Sequence, residues 1–356
     1  MASLGFKVFK TKKLGGKKKY NLENPADRKS YFQFKAGKEI ADIRDYLRKN
    51  TFVAFMMGKK NSGKGTYTKL FAEQIGPERV KHISVGDVVR DAHREIENPK
   101  TKKALVGWLK ENYRGLMPLS KAIDALVGRT TSTLVPTELI LALVERAISL
   151  DGKKKAVFID GFPRGLDQIS YSLFFRHIMG YRDDPDFFVF IDVPTSIIAA
   201  RLAGRVICPV CHVPRHPKLM RTKEIGYDKG KKEFYLKCDN ASCNDARMIP
   251  KEGDNLGMAA IKDRLTTDEE IMRNLLTLQG VPKVYIRNTV PLTEVKTKID
   301  SYEATPEYHY YLDSKGSVLV KETPWIVKDD AGVDSYSLLP AAPVVALIKQ
   351  IHKILV

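Results

Sequence analysis

A glycine- and lysine-rich segment directly after an apolar run is the feature that most restricts how this chain can fold. Residues 51–57 read Thr-Phe-Val-Ala-Phe-Met-Met, and Gly58-Lys-Lys-Asn-Ser-Gly-Lys-Gly-Thr66 follows. The spacing matches G-x-x-x-x-G-K, in which backbone N–H groups and the lysine surround phosphate oxygens. A helical pattern begins near Thr66, where the positive end of the helix dipole adds to the attraction. This order of strand, loop and helix predicts an α/β fold with a phosphate-binding loop.

Apolar runs of strand length recur further along the chain, at 156–159 and 187–191. Continuous runs of this kind are typical of parallel strands that are covered on both faces. Helical patterns at 138–150 and 166–179 occur between and around them, and strand and helix in alternation predict an α/β sheet. We expect the final strand of that sheet near 334–339.

The segment 302–335 interrupts the alternation. Its short apolar stretches are joined by Asp-Ser-Lys-Gly and Asp-Asp-Ala-Gly. Both tetrapeptides are typical of tight turns, because Asp and Gly accept the backbone conformations that turns require. The segment therefore predicts a β-hairpin insertion.

Positive charge is concentrated near the N-terminus. The chain holds 60 Lys and Arg against 42 Asp and Glu, and residues 1–50 hold 14 against 5. A lysine-rich arm either binds nucleic acid or forms a solvated, flexible tail. We favour the tail over nucleic acid as a partner, because aromatic residues are not interleaved with the lysines. The lysines are Lys10, Lys12, Lys13, Lys17, Lys18 and Lys19.

Composition restricts the class of protein. The hydrophobic fraction of 43% allows a substantial core. No apolar run approaches the roughly 20 residues that cross a bilayer, and the N-terminus lacks the apolar region of a signal peptide. We therefore expect a soluble, cytoplasmic protein without a membrane partner.

Several short motifs downstream of the loop together resemble the adenylate kinase family of nucleoside monophosphate kinases. They are Ile83-Ser-Val-Gly-Asp-Val-Val-Arg90, Leu134-Val-Pro-Thr-Glu138, Asp160-Gly-Phe-Pro-Arg164, Arg201-Leu-Ala-Gly-Arg205 and Lys262-Asp-Arg-Leu265. The resemblance implies reversible transfer of a phosphoryl group from ATP, with Mg²⁺, to AMP, which gives two ADP.

The resemblance covers about 51–290 and the final helix. It implies a P-loop NTPase fold, within 51–356, with a parallel five-stranded sheet flanked by helices. A helical insert at 85–136 would bind the acceptor monophosphate, and a small lid at 206–253 would close over the donor. Residues 1–50 would form a basic extension and a helix. The family also suggests a monomer.

The chemistry of the implied reaction explains the residue types. Phosphoryl transfer requires alignment of two phosphates and neutralisation of their charge rather than covalent work by the protein. Arginine suits this role because its planar fork binds phosphate bidentately. Asp160 follows a predicted strand and would hold Mg²⁺ through water. The implied cationic catalytic groups are Lys64, Arg90, Arg164, Arg205 and Arg264.

The resemblance also implies nucleotide contacts. Gln168 would read the acceptor base and favours adenine, whereas Val85 stands where the family usually carries Thr. UMP/CMP kinase activity therefore stays open as an alternative. Gly65 stands where Ser or Thr would hold Mg²⁺, and a hydroxyl follows at Thr66. The implied contacts are Gly58, Ser62, Gly63, Lys64, Gly65, Thr66, Ser84, Val85, Val135, Gly161, Gln168 and, beside the donor base, Arg201.

Four cysteines occur in two pairs, Cys208 with Cys211 and Cys238 with Cys243. Two such pairs separated by a loop predict a tetrahedral structural Zn²⁺ site in the lid. Disulfides are disfavoured in a reducing cytosol, and buried inert thiols are the other alternative. His212 and His216 are further candidate ligands.

Two points stay open at this level. The resemblance implies that the lid supplies one more cation to the phosphates, for which we favour Arg247 over Lys251. A protein that binds nucleic acid through the basic arm and a zinc knuckle is the alternative from a different functional class.

Overall fold

Parallel strands form the centre of the protein in the computed structural model, which describes residues 4–13, 15, 19–128, 135–150, 155–172, 184–211, 213–251, 254 and 257–356. The strands are β1 (Val53–Gly58), β2 (Val80–Ser84), β3 (Ala156–Asp160), β4 (Asp186–Asp192), β5 (Val206–Ile207), β6 (Pro214–Arg215), β7 (Ile225–Asp228), β8 (Glu233–Leu236), β9 (Ile249–Pro250), β10 (Lys283–Arg287), β11 (Thr289–Pro291), β12 (Pro306–Leu312), β13 (Val318–Pro324), β14 (Ile326–Lys328) and β15 (Asp334–Ser337). The helices are α1 (Pro25–Tyr46), α2 (Lys64–Ile75), α3 (Val85–Glu97), α4 (Pro99–Asn112), α5 (Leu119–Val127), α6 (Thr137–Ser149), α7 (Thr195–Ala203), α8 (Lys262–Thr277), α9 (Val295–Lys298) and α10 (Ala341–Leu355). Among these helices none combines the length and the apolar character needed to cross a membrane.

The central sheet has the strand order β10-β4-β1-β3-β2, and all its neighbouring strands are parallel. Every residue of β1 is buried. Ala54 and Met56 pack into the layer that contains α1, α2 and α10, whereas Phe55 and Met57 pack into the layer that contains α6 and α8. A strand covered on both faces must be apolar throughout, which explains the continuous run. The predicted five-stranded parallel sheet flanked by helices is confirmed.

The prediction for the last strand of the sheet is wrong. The last strand of the sheet along the chain is β10, at the edge next to β4, and residues 334–337 instead form β15 in a separate antiparallel sheet of order β11-β15-β14. Only Val284 and Ile286 of β10 are buried, because an edge strand here is covered less completely than β1. The alternation of buried and less buried residues in β10 is a weaker sequence signal than the continuous apolar runs of β1, β3 and β4.

Three smaller units extend from the sheet. Helices α3 to α6 pack around Leu105, Leu109, Ala122 and Leu126, which are fully buried. The segment from β5 to β9 forms small antiparallel sheets around the cysteines. Strands β12 and β13 pair over seven residues each, and this hairpin contacts the cysteine-containing unit, since Tyr308 N donates to Lys218 O at 2.8 Å.

The expectation of a solvated, flexible N-terminal tail is wrong for residues 4–13. Phe6 and Val8 are buried, and the backbone of Thr11 donates to Lys298 O at 2.9 Å. Phe6 packs against Phe190 and Tyr285 of the central sheet. The lysines of this segment are interspersed with apolar residues, and those apolar residues hold it against the core.

A fully buried lysine on α1 joins the N-terminal segment to the region after α9. Lys35 Nζ lies 2.6 Å from Asp300 Oδ2 and 3.3 Å from Glu303 Oε1. Glu303 also accepts hydrogen bonds from Tyr31 at 2.5 Å and from Thr11 at 2.6 Å. Buried charges are tolerated when they are paired and hydrogen-bonded, as they are here.

Loss of this lysine should therefore destabilise the fold. In Lys35→Met the fully buried carboxylate of Glu303 and the partly buried carboxylate of Asp300 lose their cation. We expect the free energy of unfolding in urea to fall by about 3–5 kcal/mol. Lys38→Met, at an exposed position of the same helix, should change it by less than about 0.5 kcal/mol. Equal effects of the two substitutions would contradict a structural role for the buried network.

Candidate active site

The carboxyl ends of the parallel strands bring the predicted site residues to one edge of the sheet. In register, Asp160 at the end of β3 lies between Met56 of β1 and Ser84 of β2. Gly58 ends β1 opposite Ile191 of β4. Parallel sheets bind ligands at this edge, because the loops that leave the strands converge there.

The predicted phosphate-binding loop leads into an uncapped helix. Helix α2 begins at Lys64, and its N-cap is Gly63 with φ of 101°. No side chain of the described residues caps the helix, and its first turn holds no acid. Its first N–H groups are thus left for a ligand, at the positive end of the helix dipole. Gly58 is also required, since a Cβ there would lie 2.7 Å from Ser62 Oγ. Gly65 and Thr66 form the rest of the first turn, and Thr66 faces the adjoining cleft.

The loop lysine lies over the loop and beside the acid of β3. Lys64 Nζ donates to Gly58 O at 2.6 Å and to Lys59 O at 3.1 Å. It lies 3.7 Å from Asp160 Oδ1. Lys64 and Asp160 were both predicted for the site, and the structure brings them together at the ends of β1 and β3.

Two of the predicted arginines converge beside this lysine. A small cavity of about 20 Å³ is lined by Lys64, Arg164 and Arg264. Burial and the neighbouring Arg264 lower the pKa of Arg164. Arg164 Nε is buried and has no hydrogen-bond partner among the residues that the structure describes. A desolvated guanidinium with an unpartnered Nε, beside two further cations, favours an anionic ligand.

Asp268 is a residue of this site that the sequence motifs did not indicate. Its carboxylate accepts a hydrogen bond from the backbone N of Lys60 at 3.0 Å and lies 3.9 Å from Arg264. Burial raises its pKa. In the sequence, the local indication that Asp268 belongs to the site is its position one helical turn after Arg264. Asp268 thereby joins α8 to the phosphate-binding loop.

The two lysines of the loop interior have different roles. Burial and the nearby Arg264 and Arg205 lower the pKa of Lys60, so Lys60 belongs to the cationic site. Lys59 is buried, and its Nζ donates to Asp330 Oδ2 at 2.9 Å. Lys59 therefore supports the loop from behind, through the turn between β14 and β15.

Cations also lie at the two ends of the cysteine-containing unit, directly before β5 and directly after β9. Arg205 makes two hydrogen bonds to Asp254, at 2.5 and 2.6 Å, and one to Asn61 of the loop at 3.1 Å. Lys251 N donates to Arg205 O at 3.4 Å, and burial and Arg205 lower the pKa of the Lys251 amine. Lys251 thus lies close to Arg205, one of the cationic groups at the phosphate-binding loop.

The preference for Arg247 over Lys251 is wrong. Arg247 contacts Asp228 at 2.8 Å and Glu233 at 2.5 Å. Its guanidinium lies 4.2 Å from the centre of the Tyr235 ring. These partners hold Arg247 within the small antiparallel sheet rather than at the phosphate-binding loop.

The acceptor-side residues lie across the site from the loop. Arg90 is half exposed and contacts Asp87. A Cβ on Gly86 would lie 3.2 Å from Arg164 Nη2 and 3.5 Å from Arg90 Nη1, so the two guanidinium groups flank the same glycine. Gly161 has φ of 84°, and a Cβ there would lie 2.5 Å from Arg164 Nη2.

Gln168 is buried and oriented by two hydrogen bonds. Its Oε1 accepts from Arg164 N at 2.9 Å, and its Nε2 donates to Thr137 Oγ1 at 3.0 Å. An amide oxygen accepts two hydrogen bonds and an amide nitrogen donates two, so one of each is left without a partner among the residues that the structure describes. Val85 and Val135 are buried on the same side of the site.

Arg201 lies at the other end of the site, in a cleft of about 550 Å³. Its Nη2 donates to Asn288 Oδ1 at 3.0 Å, and Asn288 Nδ2 donates to the hydroxyl of Tyr67 at 2.7 Å. Tyr67 belongs to α2, so this chain of contacts joins Arg201 to the helix of the phosphate-binding loop. Burial lowers the pKa of Arg201.

The four cysteines form one cluster. Their sulfur atoms all lie within 4.8 Å of one another. Four thiol ligands at such distances fit a tetrahedral Zn²⁺ site. His216 lies outside the cluster, since its Nε2 contacts Ala200 O at 3.0 Å and its Nδ1 accepts from Lys218 N, so its candidacy as a ligand is wrong. His212 lies outside the described residues.

A buried acidic cluster lies behind the phosphate-binding loop. Asp192 ends β4 and lies near Asp329 and Asp330, with Lys59 and Arg287 as the neighbouring cations. Burial raises the pKa of Asp192 to about 6, although the two cations oppose this shift. Arg287 is paired with Asp329 at 2.9 Å, as Lys59 is with Asp330.

Comparison with known proteins gives a consistent set of relatives. A family model described as an AAA domain matches residues 58–206. The adenylate kinase of Clostridium novyi is 30% identical over 186 residues, which are 52% of this chain and 74% of that protein. The adenylate kinase of Clostridium kluyveri is 29% identical over 230 residues, 64% of this chain and 86% of that protein. The adenylate kinase of Hydrogenobaculum is 29% identical over 244 residues, 68% of this chain and 86% of that protein.

The raised pKa of Asp192 makes the stability of the protein depend on pH. Between about pH 4 and pH 6 the folded chain binds a proton that the unfolded chain has released, so the contribution of Asp192 to stability falls as the pH rises. Asp192→Asn removes this titration. We expect the difference in unfolding free energy, variant minus original chain, to increase by roughly 3 kcal/mol from pH 4 to pH 7. Denaturant unfolding across that range measures it.

The exposed Asp124 provides a matched control. Asp124→Asn should leave the difference in unfolding free energy constant with pH to within about 0.5 kcal/mol. A difference for Asp192→Asn that is equally constant would contradict the raised pKa.

Proposed function

Because the chain belongs to the adenylate kinase family, and is therefore a nucleoside monophosphate kinase, we propose that MgATP is its donor and AMP its acceptor. The observation that supports this most is the convergence of Lys64, Arg164 and Arg264 on one small cavity at the carboxyl edge of the sheet. A phosphoryl group in transfer carries charge on its equatorial oxygens, and preorganised cations stabilise that charge. The products are two ADP.

The donor phosphates would bind the N–H groups at the start of α2. The buried hydroxyl of Ser62 and the buried Nδ2 of Asn61 have no partner among the described residues, and both atoms belong to the loop that would surround the phosphates. Asp160 would hold Mg²⁺ through water, because its carboxylate lies 3.7 Å from Lys64 Nζ and hard cations prefer oxygen ligands. The metal would supply further charge neutralisation to the phosphates.

The acceptor base would be read by Gln168. The remaining N–H and the remaining lone pair of its amide form a donor beside an acceptor. Adenine presents the complementary pair, an acceptor ring nitrogen beside an exocyclic amino group. Arg90 would bind the acceptor phosphate from α3, on the side of Gly86 that Arg164 also flanks.

The cysteine-containing unit would act as a lid with a structural Zn²⁺. Its apolar cluster is small and consists largely of the cysteines, with Leu236 and Met248. Such a unit gains its folding energy from the metal. Arg205 and Lys251 would then be carried by a rigid body that closes over the phosphates and keeps water from accepting the phosphoryl group.

Turnover with MgATP and each of AMP, UMP, CMP and GMP tests the proposed reaction. We expect kcat/KM for AMP to exceed that for each other monophosphate by at least about tenfold, because a site that hydrogen-bonds a base rejects analogues that leave its groups unpaired. Preference for UMP or CMP would contradict AMP as the acceptor and would indicate that Val85 and the helical insert have changed the pocket. Absence of turnover with all four would contradict the proposal.

Arg164→Ala is the variant that tests the cationic centre. We expect a loss of about 100-fold in kcat, because a preorganised group that stabilises transition-state charge typically contributes that much. A rate within about threefold of the original would contradict the assignment of Arg164. Arg94→Ala, on the exposed face of α3 and paired only with Asp91 among described residues, serves as the control and should keep full turnover.

Zinc is tested by metal analysis of the purified chain. We expect close to one Zn²⁺ for each chain and a loss of most of it in Cys211→Ser, with a lower unfolding temperature, because the metal site is the core of the lid. Ser242→Ala, at an exposed position beside Cys243, should keep the metal. Retention of full zinc content by Cys211→Ser would contradict a four-cysteine site.

A further inference from the structure

The cleft that holds Arg201 extends from the phosphate-binding loop to the C-terminal insertion. At the loop end it is lined by Lys64, Arg205 and the first turn of α2. Its other end is lined mainly by apolar residues, together with the polar residues Arg215, His216 and Thr305; the apolar residues are Trp325, Leu219, Met220, Leu338, Leu339 and Pro340. A cleft that is cationic at one end and mainly apolar at the other is complementary to a nucleoside triphosphate.

We propose that the indole ring of Trp325 stacks on the base of the donor nucleotide and makes the insertion part of the donor site. The proposal rests on the proposed function, because it takes the loop as the site of the donor phosphates. Trp325 lies in the segment 302–335, outside every motif that carries the family resemblance. It is a binding residue that this chain adds to the phosphoryl-transfer site.

The position of Trp325 follows from two sets of contacts. It is the single residue between β13 and β14, and β14 pairs with β15, with Ile326 opposite Tyr336. At the end of β14, the carbonyl of Lys328 accepts a hydrogen bond from Ser196 Oγ at 2.7 Å. Ser196 lies on α7, the helix that carries Arg201. Trp325 and Arg201 are thus positioned by one helix and the sheet that contacts it.

The surroundings of Trp325 differ from those of a core tryptophan. Its side chain is only partly buried at the edge of the main apolar cluster. It borders the donor-side cleft and also a second cavity of about 330 Å³, with Ala200, Ala203 and Glu307. An indole with open space beside it has apolar surface left to cover. An aromatic base covers such a surface well, because stacking needs only a flat ring.

The hairpin would also link occupancy of this site to the lid. Strand β12 contacts the lid through Tyr308 and Lys218, and the ring of Tyr310 lies 5.7 Å from that of Phe234. Trp325 directly follows the second strand of this hairpin, β13. The insertion that would stack on the donor base through Trp325 is therefore in direct contact with the lid.

Tryptophan fluorescence provides a direct test, because the chain has two tryptophans, Trp108 and Trp325. In Trp108→Phe all indole emission comes from Trp325. We expect a non-hydrolysable ATP analogue with Mg²⁺ to quench this emission saturably, and AMP alone to leave it within a few per cent. Trp325→Phe should lose the response. Emission of Trp108→Phe that is unaffected by a saturating concentration of the analogue would overturn the proposal.

Steady-state kinetics give an independent readout. We expect Trp325→Ala to raise the KM for ATP about tenfold, Trp325→Phe to raise it about two- to threefold, and the KM for AMP to stay within twofold in both. Trp108→Phe, whose ring belongs to the helical insert, is the matched control and should keep the KM for ATP. An unchanged KM for ATP in an active Trp325→Ala would overturn the stacking role while leaving the proposed function intact.

The two proposals fail in different ways. Absence of turnover in the original chain with any monophosphate would contradict the proposed function, yet the fluorescence of Trp108→Phe would still report whether the triphosphate reaches Trp325. Turnover with AMP and no effect at Trp325 would contradict only the inference about the insertion.

Discussion

Mutual repulsion among cations is the constraint that organises the site. Lys60, Lys64, Arg164, Arg205 and Arg264 surround one loop, and like charges at such separations destabilise a partly buried region. Burial and neighbouring cations accordingly lower the pKa of Arg164 and of Lys60. Acids beside the cations offset part of this repulsion. Asp160 lies beside Lys64, Asp254 pairs with Arg205, and Asp268 lies beside Arg264. A polyphosphate would relieve the repulsion more completely than these acids do, so the site is preorganised for a strongly anionic ligand.

The segments that lie outside the family motifs support this charged loop. The turn between β14 and β15 contributes Asp330, which pairs with Lys59 at 2.9 Å and accepts a hydrogen bond from Thr195 N at 2.8 Å. Asp329 of the same turn pairs with Arg287 at the end of β10. The insertion therefore supports the site, because its turn fixes the position of Lys59 in the phosphate-binding loop. The N-terminal segment adds a second support through the buried charges around Lys35.

Local sequence was sufficient for the parts of the site that lie within a few residues of one another. The strand, the loop and the start of α2 are contiguous, and their glycines are required by backbone geometry alone. Lys64, Asp160 and Arg164 belong to short motifs whose spacing is set by one strand and one turn. The central strands were predictable because burial on both faces demands continuous apolar runs. The cysteine pairs were also predictable, because the two cysteines of each pair lie close together in the sequence. The distance between the two pairs was not predictable.

Tertiary structure decided every assignment that depends on partners far apart in the chain. Lys59 contacts Asp330, and Asp268 contacts the loop, although the partners in each case are more than 200 residues apart in the sequence. Arg247 was excluded from the site only because Asp228 and Glu233 lie beside it in the lid. The edge strand β10 was missed because its burial depends on its neighbours rather than on its own pattern. The sequence by itself determined which groups carry the charge. Only the packing of distant elements decided which of those charges face the ligand and which are neutralised, because electrostatic pairing depends on distance in space and not on separation along the chain.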